Sequence, residues 1–332
     1  MKKKKWSCVL LILAFVLLLA ACQQNANHKT TEEKVTDPKQ LYTTAFQKTL
    51  NAKTYDSSID ADINIDTSNL QGEYKEIADV INNAKLTVDA KVNEETKQSE
   101  LVFKGKFSYE NLSMDFNVPV YLDEDKQRGY IKLDSMLKSF GIFLGTSENH
   151  LKSVKNKYLE FSLEEDQPLN PHTEERLKRK LQESLIKAMG DIPQDNFKKS
   201  QQGAAQKVTL SLSNKGFKTF IMNYFDVSGE ALKDPLTNTE MNQLKEDFLE
   251  KINFKKLSIT ATMDNKEYIQ NVNTDILFHV DHRDFTGDIG CKLSTSYKNI
   301  NGDVTFKYNP KKDQILTEDE FEELMTQATE MN

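Results

Sequence analysis

Leu86-Thr-Val-Asp-Ala-Lys-Val-Asn93, Leu101-Val-Phe-Lys-Gly-Lys-Phe-Ser-Tyr109 and Leu112-Ser-Met-Asp-Phe-Asn-Val-Pro-Val120 alternate apolar and polar residues almost one for one. Successive side chains on a strand point to opposite faces, so each stretch offers one apolar and one wet face. The links between them are short and polar, and Asp123-Glu-Asp-Lys126 supplies the next turn. Long strands of this kind joined by short turns predict an antiparallel meander.

The same pattern extends outward. Upstream, Ile59, Ala61, Ile63 and Ile65 alternate with Asp60, Asp62, Asn64 and Asp66, whose carboxylates read as the wet side of a sheet. Downstream come shorter strands at Tyr130–Leu133 and Tyr158–Leu163, an alternation at Val208, Leu210 and Leu212, and four successive strands over 254–264, 267–280, 284–297 and 300–308. Strand starts near 56, 84, 98, 111, 128, 157, 206, 254, 267, 284 and 300 make eleven.

Helical spacing appears between the strands. Asp37-Pro38 reads as an N-cap with proline at the first helical position, followed by Leu41, Tyr42, Ala45, Phe46 and Leu50. Leu70, Tyr74, Ile77, Ala78 and Ile81 form a second stripe, and an apolar segment runs from Met136 to Leu144. Leu177, Leu181, Leu185 and Met189 mark a helix over 173–190; Phe217, Phe220, Ile221 and Tyr224 mark another; Met241, Leu244, Phe248 and Ile252 a third. Thr317 and Glu320 form a capping box that opens a last helix with Phe321, Leu324 and Ala328. The expected class is α+β: one curved antiparallel sheet of about eleven strands with helices set against one face. Leu86–Asn93 and Leu257–Asp264 match in pattern at an offset of 171 residues, so the folded region 37–332 reads either as one sheet built from two similar halves, about 37–190 and 205–332, or as strands that resemble each other by chance.

Composition excludes several classes. The 332 residues are 38% hydrophobic, with 18 Phe and 11 Tyr, which is enough apolar material to bury a core. The 51 acidic against 44 basic residues argue against a nucleic-acid partner. Three cysteines cannot build a disulfide framework.

Residues 2–5 are four lysines, followed by an apolar run from Val9 to Ala21. A basic start and a short apolar run form a secretory signal, and the run is shorter than the roughly 20 residues a membrane span needs. It ends in Leu19-Ala20-Ala21-Cys22 and turns polar at Gln23. This stretch closely resembles the lipobox of bacterial lipoproteins. The resemblance implies cleavage between Ala21 and Cys22 and a diacylglyceryl group on the Cys22 thiol, with palmitate-type acyl chains as the membrane anchor. Two chains on one cysteine supply the two hydrophobic anchors that stable attachment needs. Loss of residues 1–21 removes four lysines and no acid, leaving 40 basic against 51 acidic residues and a net charge of −11. Residues 23–36 are polar and expected to be a tether with a reach on the order of 20 Å. The location implied is the extracytoplasmic face of the cell membrane. The missing disulfides and the lysine-rich, acidic composition point to a Gram-positive surface.

With that signal, the N-terminal helix and the strand-and-helix order over 38–332, the chain resembles the LolA-like and LppX/LprAFG-like lipoproteins. The resemblance implies a strongly curved, open half-barrel of eleven strands with helices packed on its concave face, whose apolar concavity binds acyl chains or carries lipids and lipoproteins. It transfers no individual residue.

Chemistry is sparse. His279-Val-Asp-His282 is the one local histidine cluster, but residues three apart on a strand point to opposite faces, so a solvated hairpin tip is expected and no metal site. Asp123–Gly129 starts like a calcium loop, yet carries Arg128 where the sharp turn requires glycine. No nucleophile elbow, phosphate loop or zinc-protease motif occurs, so no cofactor and no enzymatic activity are expected. Cys291 falls in phase with Ile289 and Leu293, as a buried thiol would. The functional lead is aromatic: Phe103, Phe107, Phe116, Phe278 and Phe306, with Phe285, lie on expected strands. They either pack a solid core or line an incompletely filled concavity that accepts lipid tails. A filled core would suit a tethered protein that docks an envelope partner. On the anchor, Cys22→Ala is expected to abolish membrane retention; an unchanged detergent-phase fraction would refute lipidation.

Overall fold

The structure, a computed structural model, describes residues 37–109, 112–144, 147–163, 171–202, 205–228, 239, 250–282 and 285–330. The expected signal sequence with its cleavage point at Ala21 and Cys22, and the expected tether, lie outside the described residues, as do Met241, Leu244 and Phe248 of one expected helix.

The first meander runs through β1 (Thr54–Ile65), β2 (Lys85–Asn93), β3 (Gln98–Tyr109), β4 (Leu112–Asp123), β5 (Arg128–Lys132) and β6 (Tyr158–Ser162). The second runs through β7 (Phe197–Gln202), β8 (Ala205–Leu212), β9 (Ile252–Met263), β10 (Ile269–His282) and β11 (Phe285–Lys298), and β12 (Ile315–Leu316) comes last. All twelve belong to one unclosed sheet in the order β12-β6-β5-β4-β3-β2-β1-β11-β10-β9-β8-β7. Seven α-helices accompany it among the described residues: α1 (Pro38–Leu50), α2 (Glu73–Asn82), α3 (Leu133–Leu144), α4 (Glu148–Ser153), α5 (Pro171–Gly190), α6 (Asn214–Ser228) and α7 (Glu318–Glu330). The fold is α+β with a large, mostly antiparallel sheet.

The hairpins are set by short polar side chains. Asn93 Oδ1 accepts the N–H groups of Glu95 and Thr96, and Asp264 Oδ1 those of Lys266 and Tyr268. Asp123 Oδ1 accepts the Lys126 N–H. Each turn then closes through a residue of positive φ, Lys97 at 48°, Gln127 at 51° and Glu267 at 63°. Such side-chain-to-backbone bonds are what make Asn and Asp turn residues.

Ten of the eleven expected strands are present. The exception is 300–308, where Val304, Phe306 and Tyr308 alternate but form no ladder. Its N–H groups are taken by a side chain: Glu100 Oε2 accepts from Lys307 at 2.5 Å and Tyr308 at 2.6 Å. Two strands escaped the sequence reading. β7, Phe-Lys-Lys-Ser-Gln-Gln, is an edge strand with one apolar residue, the composition that keeps an edge from pairing further. β12 is two residues long and pairs parallel with β6, which no local pattern announces.

The chain divides into two compact units. The first takes its described residues from Met1–Ala52, Ile63–Asn82 and Asn170–Ser296; the second from Lys53–Asp62, Asn83–Leu169 and Tyr297–Asn332.

In the first unit, Asp37 Oδ1 caps α1 by accepting the Gln40 N–H at 2.7 Å, and Pro38 opens the helix. Its apolar face is buried, and Thr49 on that face accepts the Ile269 N–H at 2.9 Å. The apolar faces of β8–β11 are enclosed along their length: Val208, Leu257, Ala261, Ile276, Phe278 and Ile289 are all buried. Cys291 is buried in phase with Ile289 and Leu293. The Phe217 ring of α6 lies 4.2 Å from that of Phe254, and Phe254 lies 5.7 Å from Phe278. Each such side chain contributes about 1.5–3 kcal/mol on burial, which makes this layer the main apolar core of the unit.

In the second unit, α7 starts at the expected capping box: Glu320 Oε2 accepts the Thr317 N–H at 2.8 Å, and Thr317 Oγ1 the Glu320 N–H at 3.3 Å. Phe321, Leu324 and Met325 then pack on Leu133, Leu137, Val154 and Leu316. Buried His150 of α4 donates from Nε2 to the Met325 carbonyl at 3.1 Å while Nδ1 accepts the Ser147 N–H at 3.0 Å. The strap 303–316 lies over Tyr121, Tyr130 and Tyr158, with Phe306 5.5 Å from Tyr121. Glu100, 4% exposed, is the clasp that holds it. Removing that carboxylate strands two N–H groups under the strap, so Glu100→Ala is expected to cost about 3 kcal/mol against about 1 kcal/mol for the cap variant Thr317→Ala. Urea denaturation checks both; equal losses would show that aromatic contacts alone hold the strap.

Candidate functional site

The pleat of the second unit separates two surfaces, and they differ in kind. On one face Ile59 of β1 stands opposite Val88 of β2, Val88 opposite Phe103 of β3, and Phe103 opposite Val118 of β4. The next row is Ala61, Leu86, Gly105 and Phe116, and Phe107 faces Met114 beyond it. This grid is apolar throughout, yet of these residues only Val118 is buried. Phe103 is 37% exposed at its centre. In the first unit the equivalent apolar positions are enclosed.

Part of the grid is roofed. β5 pairs with β4 only from Val120 to Asp123, and α3 takes over the edge beyond: Ser139 Oγ accepts the Asn117 N–H at 3.1 Å. Phe140 of α3 stacks at 6.0 Å on Phe116, which lies 6.1 Å from Phe107. The Phe116 ring lies flat across Gly105, where a Cβ would stand 2.2 Å from ring carbon Cε1. Phe161 covers Gly129 in the same way. An aromatic ring over a cross-strand glycine restores packing that the missing side chain would forfeit.

The opposite face is mostly polar, apart from Val102, Pro119 and the tyrosines under the strap. Burial, followed by the nearby Asp123 carboxylate, pushes the Tyr121 phenol up to about 12, and burial followed by Asp134 pushes Tyr158 up to about 12. Both are neutral hydroxyls in any physiological medium. Burial works to raise the Asp123 carboxyl, but bonds from Lys126 and Gln98 outweigh it and hold the group below the usual carboxylate value.

The expected site residues separate accordingly. Phe103, Phe107 and Phe116 share the half-exposed face of the second unit. Phe306 is on its other side, against Tyr121. Phe278 is in the first unit, 3% exposed and enclosed by Phe254. Gly105 and Phe140 were not singled out from sequence. A glycine in mid-strand was the available signal for the first; Phe140 needed the tertiary placement of α3.

The other motifs resolve as turns and surface pairs. Asp123–Arg128 is a hairpin whose aspartate bonds Lys126. His279 Nδ1 lies 2.8 Å from Asp288 Oδ1, and Lys255 reaches both Asp288 oxygens at 2.7 Å. Lys255, then His279, hold the Asp288 carboxyl below its usual value. The side chain of His282 is outside the described residues. Among the described residues no group of three or more His, Cys, Asp or Glu could hold a metal ion, and no helix is long and apolar enough to cross a membrane.

No family model matches the chain, and no curated protein matches it. Among solved structures it is similar to a beta-barrel-like protein of domain of unknown function DUF1849 from Brucella abortus, at 9% identity over 74% of this chain and 99% of that one. The TM-score is 0.22, too low to transfer structure or function.

Gly105 and Phe116 should behave as one packing unit. Gly105→Val is expected to destabilise by about 2 kcal/mol through overpacking, and Phe116→Leu should relieve most of that cost. A double-mutant cycle in urea measures the coupling; additive losses would show that the ring is not seated on the glycine.

Proposed function

We propose that this chain is a lipoprotein anchored through Cys22 on the extracytoplasmic face of the membrane, and that it binds acyl chains. The reading takes the sheet as a curved half-barrel with helices on its concave side, and the half-exposed grid around Phe103 as the ligand surface. One observation carries it: a contiguous apolar sheet face, centred on an exposed phenylalanine, is only partly covered while comparable strands in the same chain are enclosed. Exposed apolar surface of this kind marks a binding site more often than an accident. Each methylene buried there contributes about 0.8 kcal/mol, so eight would supply about 6 kcal/mol with no charged contact. That suits a mature domain with a net charge of −11, which anionic headgroups would repel.

The function is sequestration. A chain lies along Phe103 and Phe107, the Phe140 ring of α3 yields its place on Phe116, and no bond is made or broken.

A second reading rests on a different feature. α2 buries Ala78 but leaves Tyr74 52% and Ile77 38% exposed, an apolar stripe suited to an envelope protein partner.

The only tryptophan, Trp6, falls within the signal. Phe103→Trp in an unlipidated chain expressed from residue 23 onward therefore places a single indole in the proposed site. Fluorescent fatty acids should quench or accept energy from it, and native mass spectrometry should find lipid carried from cells. Phe103→Asp should weaken uptake at least about tenfold, because a chain would then desolvate a carboxylate. No cell-derived lipid together with no fatty-acid response would sink the carrier reading in favour of the docking one.

A further inference from the structure

Helix α5 carries a buried amide with no hydrogen-bond partner among the described residues. Gln182 is 4% exposed, and neither its Nε2 nor its Oε1 has a hydrogen-bond partner among the described residues. It shares a helical stripe with Leu185 and Met189, each 3% exposed, in a helix that packs against α1 and α6 in the first unit. The neighbouring buried polar residue shows the normal solution: Ser184 donates back to the Lys180 carbonyl at 2.7 Å. A glutamine is too long to satisfy itself that way. Both ends of its amide must find partners elsewhere, and leaving them unmade costs far more than a leucine at the same place would. Buried polar groups in folded proteins are satisfied, and one that is not asks for a missing partner.

We propose that Gln182 is the polar anchor of a second ligand position, inside the helical layer of the first unit. A primary amide offers donor and acceptor side by side, so its guest carries a neutral head with both functions, such as a primary amide, a hydroxyl or a protonated carboxyl. The body of the guest is apolar, because its surroundings are: Leu185 and Met189 share the α5 stripe, and α6, which packs on α5, buries Phe217, Phe220 and Ile221. A carbon chain alone leaves the amide unpaired, and a fully charged head satisfies only one of its ends. The position thus selects by head group, whereas the face around Phe103 selects only for apolarity.

The test compares dodecanamide with undecyl methyl ether, which has the same alkyl chain and can only accept a hydrogen bond. Binding to the unlipidated Cys22→Ala chain is measured by native mass spectrometry and thermal shift. Wild type should prefer the amide by about tenfold, the worth of one net hydrogen bond. Gln182→Leu and the more conservative Gln182→Met should bring that ratio close to one. Neither should lower the melting temperature of the unliganded protein, since each removes an unpaired amide. An unchanged ratio in a folded variant would overturn the proposal, as would a fall in melting temperature with the preference intact, the mark of an amide that serves structure alone. Uptake of the ether without preference for the amide sinks the Gln182 position and leaves the acyl-chain reading standing. Uptake of neither probe sinks both.

Discussion

A strand must turn successive side chains to opposite sides, so a sheet of this length carries one long apolar face that something has to cover. The rest of the molecule follows from how that requirement is met. In the first unit it is met with helices. α1 and α6 pack on β8–β10, α5 packs on both helices, and residues such as Val208 and Ala261 reach complete burial. In the second unit the cover is partial. α3 reaches Phe116 through Phe140 and stops, and Phe103 is left in water. The contrast between the two is what gives the uncovered face its meaning.

The polar side of the second unit has its own constraint. Tyrosines at 121, 130 and 158 line up across three strands and need an apolar lid of their own, which the strap supplies with Phe306, Tyr308 and Ile315. The strap follows a strand-like sequence but joins no ladder. A carboxylate from β3 binds its N–H groups instead, and charge-assisted bonds to backbone donors are stronger than the ladder bonds they replace. One buried glutamate thus decides that the final stretch of chain closes over the sheet and does not extend it.

Much of this was legible in the residues. The alternations at 59–65, 86–92, 101–109 and 254–297 are strands, Asp37-Pro38 and Thr317–Glu320 are helix caps, and Cys291 is buried with the neighbours its phase indicated. What failed did so for identifiable reasons. The polar edge strand β7 has no alternation to read, and the two residues of β12 pair through chain brought from far away. The segment 300–308 alternates faithfully and is still no strand, because periodicity reports which faces differ and not which atoms take the N–H groups. The stripe at Tyr74, Ile77 and Ile81 has the spacing of a core helix, yet two of its three members stand exposed.

What the sequence determined by itself was therefore local: the strand and helix periods and the turn and cap chemistry, each written within a few residues by sterics and short-range hydrogen bonds. What only the tertiary structure decided was which apolar face found a partner. Phe103, Phe278 and Phe306 look alike in a list of strand residues. Burial depends on chain arriving from elsewhere, and it placed the first at an open face, the second in a sealed core and the third under a strap. The same holds for Gln182, whose amide is unremarkable on a helix until packing buries it with no hydrogen-bond partner among the described residues.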